Sequence, residues 1–155
     1  LHLCDRRQRQ MCIRDRMYMN NDQARNAMLD YDAYYKAVNR QVNDLFYYYR
    51  EQAALKARQY QRALDDIVKA IELSPKDLTY RAEHAVVNLR VGRYEESMKI
   101  LNEILKDEPK YGEAYRLLGL CQIQLKKTDE ACGNFNKAKE LGDPNVDELI
   151  KKYCK

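Results

Sequence analysis

Acid–base catalysis needs a base held beside a proton donor, and in this chain the search for one centres on His84. The other histidine, His2, lies in an arginine-rich N-terminal stretch. Glu83 adjoins His84, but successive residues of a helix point about 100° apart, so the two do not converge on one site. Five cysteines, Cys4, Cys12, Cys121, Cys132 and Cys154, contain no C-x-x-C pair and have no histidine at zinc-ligand spacing. The acidic pairs Asp65–Asp66 and Glu95–Glu96 fall near the starts of expected helices, where negative charge suits the helix dipole and solvation rather than a metal. No glycine-rich phosphate loop is present. These residues predict no catalytic centre, no metal and no cofactor, with His84 a partly buried packing residue.

The elements that would position any site are helical. Glycine (5) and proline (3) are scarce among 155 residues, while Ala, Leu, Lys, Glu, Gln and Arg, all good helix formers, are common. The length is that of one domain. No run of 18 or more apolar residues occurs, so no membrane insertion is expected. A secretory signal would need about 7–15 apolar residues after a basic start, and the N-terminus has only the basic part.

A longer period underlies the helices. Pro75 and Pro109 are 34 residues apart and Pro144 follows after 35. Tyr60, Tyr94 and Thr128 keep the 34-residue step, as do Ala63, Ser97 and Ala131, then Ile67, Leu101 and Phe135, then Ala70, Ile104 and Ala138. Helical amphipathicity repeats every 3.6 residues and does not generate such rows. The spacing predicts helices at 44–57, 60–73, 78–91, 94–106, 112–125 and 128–141.

This pattern resembles the tetratricopeptide repeat family, whose 34-residue unit reads W-x2-L-G-x2-Y, then A-x3-F, A and P. "YRLLGLCQ" sets Tyr115, Leu118 and Gly119 on the first half, and "DEACGNFNKAKEL" supplies Ala131, Phe135 and Ala138. The middle unit keeps Gly92, Tyr94, Ser97, Leu101 and Pro109. The first keeps Tyr47, Tyr60, Ala63, Ile67, Ala70 and Pro75, but has Arg50 and Glu51 where the family has Leu and Gly. The resemblance implies an all-α solenoid of antiparallel helix pairs: residues 44–77, 78–111 and 112–144 as three units, and 17–43 as the second helix of a preceding one, with Ala27 and Tyr31 in A-x3-F register. Residues 145–155 read as a cap, opened by Asp143 or Asn145. Val146, Leu149, Ile150 and Tyr153 form its apolar stripe, with Lys151, Lys152 and Lys155 facing water.

The stretch "RRQRQMCIRDR", Arg6 to Arg16, fits none of this. Back-translated as CGT-CGG-CAG-CGT-CAG-ATG-TGT-ATA-AGA-GAC, it resembles the transposase adapter used in sequencing libraries. On that reading residues 1–16 are non-native and the chain is the C-terminal part of a longer protein. Without them 23 Lys/Arg face 22 Asp/Glu, which gives no electrostatic case for nucleic acid. Cytoplasm and periplasm both remain open.

What the resemblance implies for function is a concave surface of first helices holding a segment of another protein. The inward positions include Leu45, Tyr48, Gln52, Leu55 and Lys56; Thr79, Ala82, Val86, Leu89 and Arg90; and Glu113, Arg116, Leu120, Ile123 and Gln124. One subclass clamps a terminal carboxylate with Lys and Asn. Here those positions carry Tyr48, Ala82 and Arg116, then Gln52, Val86 and Leu120, so the clamp is absent. Tyr48, Lys56, Arg90 and Arg116 suit an extended segment with some acidic character. The register also places Cys121 at a small buried position, Cys132 in the next helix and Cys154 in the cap. A Cys132–Cys154 or Cys121–Cys132 disulfide would pin that end, the alternative being packed thiols. The sequence thus reads as a non-catalytic scaffold for a protein or peptide partner. A regulatory module of a larger protein, and self-association through the N-terminal helix, are the alternatives.

Overall fold

The computed structural model of the chain describes residues 21–154. Among them are eight α-helices and no strand: α1 Asn21–Ala37, α2 Asp44–Lys56, α3 Tyr60–Leu73, α4 Leu78–Arg90, α5 Tyr94–Asp107, α6 Gly112–Gln124, α7 Thr128–Glu140 and α8 Asp147–Tyr153. The six helices expected from the 34-residue spacing appear with each end within one residue of its expected place. The adapter-like stretch 1–16 and Lys155 lie outside the described residues. The fold is an all-α solenoid of helix pairs.

Three of the rows found in sequence vanish from solvent, while Tyr60, Tyr94 and Thr128 and the three prolines stay partly or fully exposed. Ala63, Ser97 and Ala131 are each fully buried, as are Ile67, Leu101 and Phe135, and Ala70, Ile104 and Ala138. Small residues bring the two helices of a pair together, and the larger residue one turn later fills the seam. The tightest case is Gly119, where an added Cβ would lie 2.4 Å from Cε1 of Phe135. In α5 the Ser97 hydroxyl donates to the Ala85 carbonyl at 2.7 Å, so this small polar residue is satisfied by the helix it packs on.

Turns between paired helices also repeat every 34 residues. Arg58, Gly92 and Lys126 all have positive φ (58°, 82° and 62°). Each turn closes with the same pair of bonds: Gln59 N–H to Ala54 O and Arg58 N–H to Leu55 O, then Arg93 to Asn88 and Gly92 to Leu89, then Lys127 to Gln122 and Lys126 to Ile123. This is the Schellman ending, which satisfies the last helical carbonyls and demands a left-handed residue. Only the middle turn uses the residue best suited to it.

The described residues divide into two compact units, one ending at Tyr80 and one beginning at Arg81. In the first, Ala24, Ala27, Met28 and Tyr31 of α1 are buried, with the Tyr31 ring edge-on to Phe46 at 5.4 Å. Asn43 caps α2 by accepting the Phe46 N–H at 3.0 Å. In the second, α8 lays Val146, Leu149, Ile150 and Tyr153 on a core of Ala131, Phe135 and Ala138.

Two expectations are corrected. The cap helix is opened by neither Asp143 nor Asn145: its N-cap is Val146, without a side-chain cap bond, because Asp143 Oδ1 instead accepts the Asn145 N–H at 2.8 Å one turn earlier. The pair Asp65–Asp66 is no solvated helix start either. Helix α3 begins at Tyr60, which puts both beyond its first turn, and Asp66 is buried at 3% exposure.

Gly119→Ala is expected to lose about 1–3 kcal/mol by overpacking, read as a lower urea midpoint. Lys126→Gly is expected to gain roughly 0.5–1 kcal/mol by relieving the left-handed penalty. A neutral Gly119→Ala or a destabilising Lys126→Gly would contradict this account of the packing and the turns.

Candidate functional site

In the first unit the residues of α2 that face away from the core are set by what α2 buries. Arg50, at 9% exposure, gives Asp66 of α3 two hydrogen bonds, Nε to Oδ2 at 2.8 Å and Nη2 to Oδ1 at 2.6 Å. Its Nη1 lies 3.7 Å from Asp32 of α1, which also accepts from Arg62. The guanidinium sits 4.9 Å from the Tyr35 ring centre, 5.1 Å from Phe46 and 5.6 Å from Tyr47. One cation thus joins three helices through a planar fork and aromatic faces. Desolvation opposes the Arg50 charge, but the bonds and charge of Asp66 outweigh it and raise its pKa. Burial likewise draws the Asp66 carboxyl upward, with the Arg50 bonds offsetting part of that rise. The Tyr47 phenol, buried and hydrogen-bonded to Tyr35, is pushed up to about 12. Glu51, the other departure from the family pattern, is fully buried.

Sequence reading missed this cluster, and a signal was available. Positions 50 and 66 correspond, by the 34-residue step, to His84 and Ile100 and to Leu118 and Asn134. Opposite charges stand at both registers in the first unit only.

With that cluster inside, α2 turns Tyr48, Gln52, Leu45 and Lys56 outward. Tyr48 and Gln52 are half-buried, and Leu45 and Lys56 are exposed. The Tyr48 ring lies 5.3 Å from Tyr49 and 5.2 Å from Tyr80. Tyr80 donates its hydroxyl to Asp44 at 3.3 Å, where Ser74 also donates at 2.6 Å. Phe46, Tyr47 and Arg50 are therefore committed to packing within the first unit, while half-buried Tyr48 leaves part of its ring in solvent.

In the second unit Val86 is half-buried and Arg90 exposed on α4, while α6 presents half-buried Glu113, Arg116 and Ile123. Arg116 and Glu113 are brought together: Arg116 Nη2 donates to Glu113 Oε1 at 2.7 Å, and Tyr111 donates to Glu113 Oε2 at 3.0 Å. Arg116 Nε donates to Asp143 Oδ2 at 3.0 Å, with the Asp143 side chain only 3% exposed. Two carboxylates thus hold the cation that the sequence offered to an acidic partner, which corrects that reading of Arg116. Glu83, not singled out as a contact residue, faces the same group. Burial raises its carboxyl, and Glu113 adds to the rise against the opposing pull of Arg116. Ile123 packs with Leu120 against the Phe135 core.

His84 is half-buried, and burial lowers its pKa despite the charge of Glu96. Cys132 and Cys154 are joined in a disulfide with a Cα–Cα distance of 5.6 Å. Cys121 is therefore not the partner of Cys132: it is a fully buried free thiol, 3.4 Å from the Ser97 hydroxyl. Among the described residues no group of three or more His, Cys, Asp or Glu is placed to hold a metal, and no helix is long and apolar enough to cross a membrane.

Comparison with known proteins agrees with this fold. A family model described as anaphase-promoting complex, cyclosome, subunit 3 matches residues 20–104, more than half the chain, and a tetratricopeptide repeat model matches residues 83–146. The small glutamine-rich tetratricopeptide repeat-containing protein 2 of Mycosarcoma maydis is 30% identical over 99 residues, covering 64% of this chain and 28% of that protein. Heat shock protein STI1 of Saccharomyces cerevisiae is 32% identical over 101 residues, covering 63% of this chain and 17% of its own length. The chain thus spans under a third of these curated relatives. Among solved structures, YrrB, a TPR protein described as having an unusual peptide-binding site, superposes with a TM-score of 0.70 at 18% identity, covering 84% of this chain and 66% of that one. The first TPR of Spaghetti (RPAP3) bound to the HSP90 peptide SRMEEVD gives 0.63 at 21% identity, covering 72% and 87%. At these identities the structures speak for the fold alone.

Arg50→Met is expected to cost about 3–5 kcal/mol by leaving Asp66 buried without its cation, whereas Arg50→Met combined with Asp66→Leu recovers most of that loss. Denaturant unfolding of the single and double variants reads the coupling directly. Equal losses in both would remove the ion pair as the organiser of α2.

Proposed function

The chain belongs to the tetratricopeptide repeat family, and from that premise we propose that it is a non-catalytic scaffold whose first-helix faces hold an extended segment of another protein. One observation carries the reading. The first helices keep Leu45, Tyr48, Val86 and Ile123 partly in solvent beside polar side chains, although Leu29, Val68 and Leu73 on the second helices are exposed as well. Apolar and aromatic side chains kept at a surface beside polar ones are the raw material of a recognition face. Gln52, Lys56, Arg90 and Glu113 supply the polar contacts around them.

RPAP3 in the compared structure holds an HSP90 peptide, SRMEEVD, and YrrB has a peptide-binding site. For this chain we infer a partner other than an acid-terminated tail. The clamp positions hold Tyr48, Ala82 and Arg116, then Gln52, Val86 and Leu120, and the cation among them is already bound by Glu113 and Asp143. An internal segment with apolar anchors suits the face better.

Selection of the chain against a displayed random peptide library tests the reading. The expected result is a shared sequence motif binding in the micromolar range, weakened tenfold or more by Tyr48→Ala or Arg90→Glu. Lys106→Glu on the second helix α5 leaves it unchanged. Selected peptides indifferent to both face variants would reject the proposed face.

A further inference from the structure

Helix α8 has seven residues, too few to be stable alone in water. Its N-cap residue makes no side-chain cap bond. What holds it is modest: fully buried Val146, half-buried Leu149, Ile150 and Tyr153 on the Phe135 core, and an ion pair from Lys139 to Asp147 at 2.8 Å. Both side chains of that pair are 61% exposed, where solvent and salt leave little net attraction.

The disulfide changes this balance. Cys154 follows the last residue of α8 and is bonded to Cys132 in the second turn of α7, 22 residues back in the chain. Both ends of α8 are therefore tethered, one by the 141–146 connection and one by sulfur. Cut the sulfur tether and only the connection and the packing remain. Cys132 and Cys154 are half-buried rather than sealed, so a small thiol reaches the bond. Cys121 is fully buried, and burial raises its thiol pKa, so it does not compete in exchange.

We propose that the Cys132–Cys154 disulfide is a redox latch: its reduction releases α8 and uncovers the apolar face formed by Ala131, Phe135 and Ala138. A dithiol reductant supplies both electrons. One of its thiolates attacks a sulfur of the pair, breaking the S–S bond and forming a mixed disulfide. Its second thiol then displaces the protein sulfur. The reductant leaves as a cyclic disulfide, and its two protons end on Cys132 and Cys154. The latch stands on the disulfide and the packing alone, whichever partner the first-helix faces take.

The test is amide hydrogen exchange of the full chain, equilibrated with oxidised glutathione and then treated with dithiothreitol. The Ile150 and Cys154 amides donate to Val146 and Ile150 at 3.1 and 2.8 Å. On reduction they are expected to exchange roughly a hundred-fold faster, the scale of the lost loop constraint, while amides of α6 keep their protection. Cys132→Ala with Cys154→Ala is expected to match the reduced protein without any reductant. Retained α8 protection after complete reduction would overturn the latch. So would a loss spread over α6 and α7, which would make the bond a general support, or two free thiols at these positions after glutathione treatment.

Discussion

The closest approach between paired helices is the constraint on which the rest of the structure depends. Two helices of about thirteen residues have little apolar surface each, and they hold together only where one residue is small enough for the other backbone to come near. Gly119 against Phe135 is the limiting case, since even a methyl group would overlap the ring. Ala63, Ser97 and Ala131 repeat the requirement every 34 residues, and all three are fully buried. The first helices enter the same seams with Phe46, Val87, Leu117 and Leu118, all buried, and leave Leu45, Val86 and Ile123 partly in solvent.

The first unit meets the same constraint by different means. Where Leu118 serves in the last repeat, Arg50 serves here, and a buried charge is tolerable only with a partner. Asp66 provides it bidentately, and the rings of Tyr35, Phe46 and Tyr47 provide a second, non-hydrogen-bonding partner. A hydrophobic pair would tolerate sliding, but a planar fork on a carboxylate does not. The ion pair fixes one point of contact between α2 and α3, Arg50 on Asp66. That gain in definition comes with less net stability than a well-packed Leu would supply.

Charge on the second unit follows from a similar internal commitment. Arg116 lies on the first-helix face yet spends its donors on Glu113 and Asp143. With Glu83 nearby and raised by burial and by Glu113, the local balance is acidic. A residue type and its register are therefore a poor guide to what a surface offers. The hydrogen bonds already made decide which charge is left for a partner.

Most of the fold was legible because its signals are local or periodic. The 34-residue rows, the prolines between pairs and the apolar stripe of the last helix each follow from residue size and spacing, and the rows predicted the ends of the six repeat helices to within one residue. The repeated turns at Arg58, Gly92 and Lys126 belong to the same class, although only the glycine advertises itself. Site features were less legible, since they depend on side chains meeting from different helices. Asp66 passes for a solvated helix residue until Arg50 is placed 2.6 Å away. Arg116 passes for a groove cation until Asp143 returns from the following turn. The choice among Cys121, Cys132 and Cys154 turns on which two sulfurs the packing of α8 brings together. Sequence by itself determined the repeat, because burial by size leaves a periodic trace. Tertiary structure alone decided the pairing of charges and sulfurs, because those bonds depend on angstrom-scale approach between helices and leave no period to read.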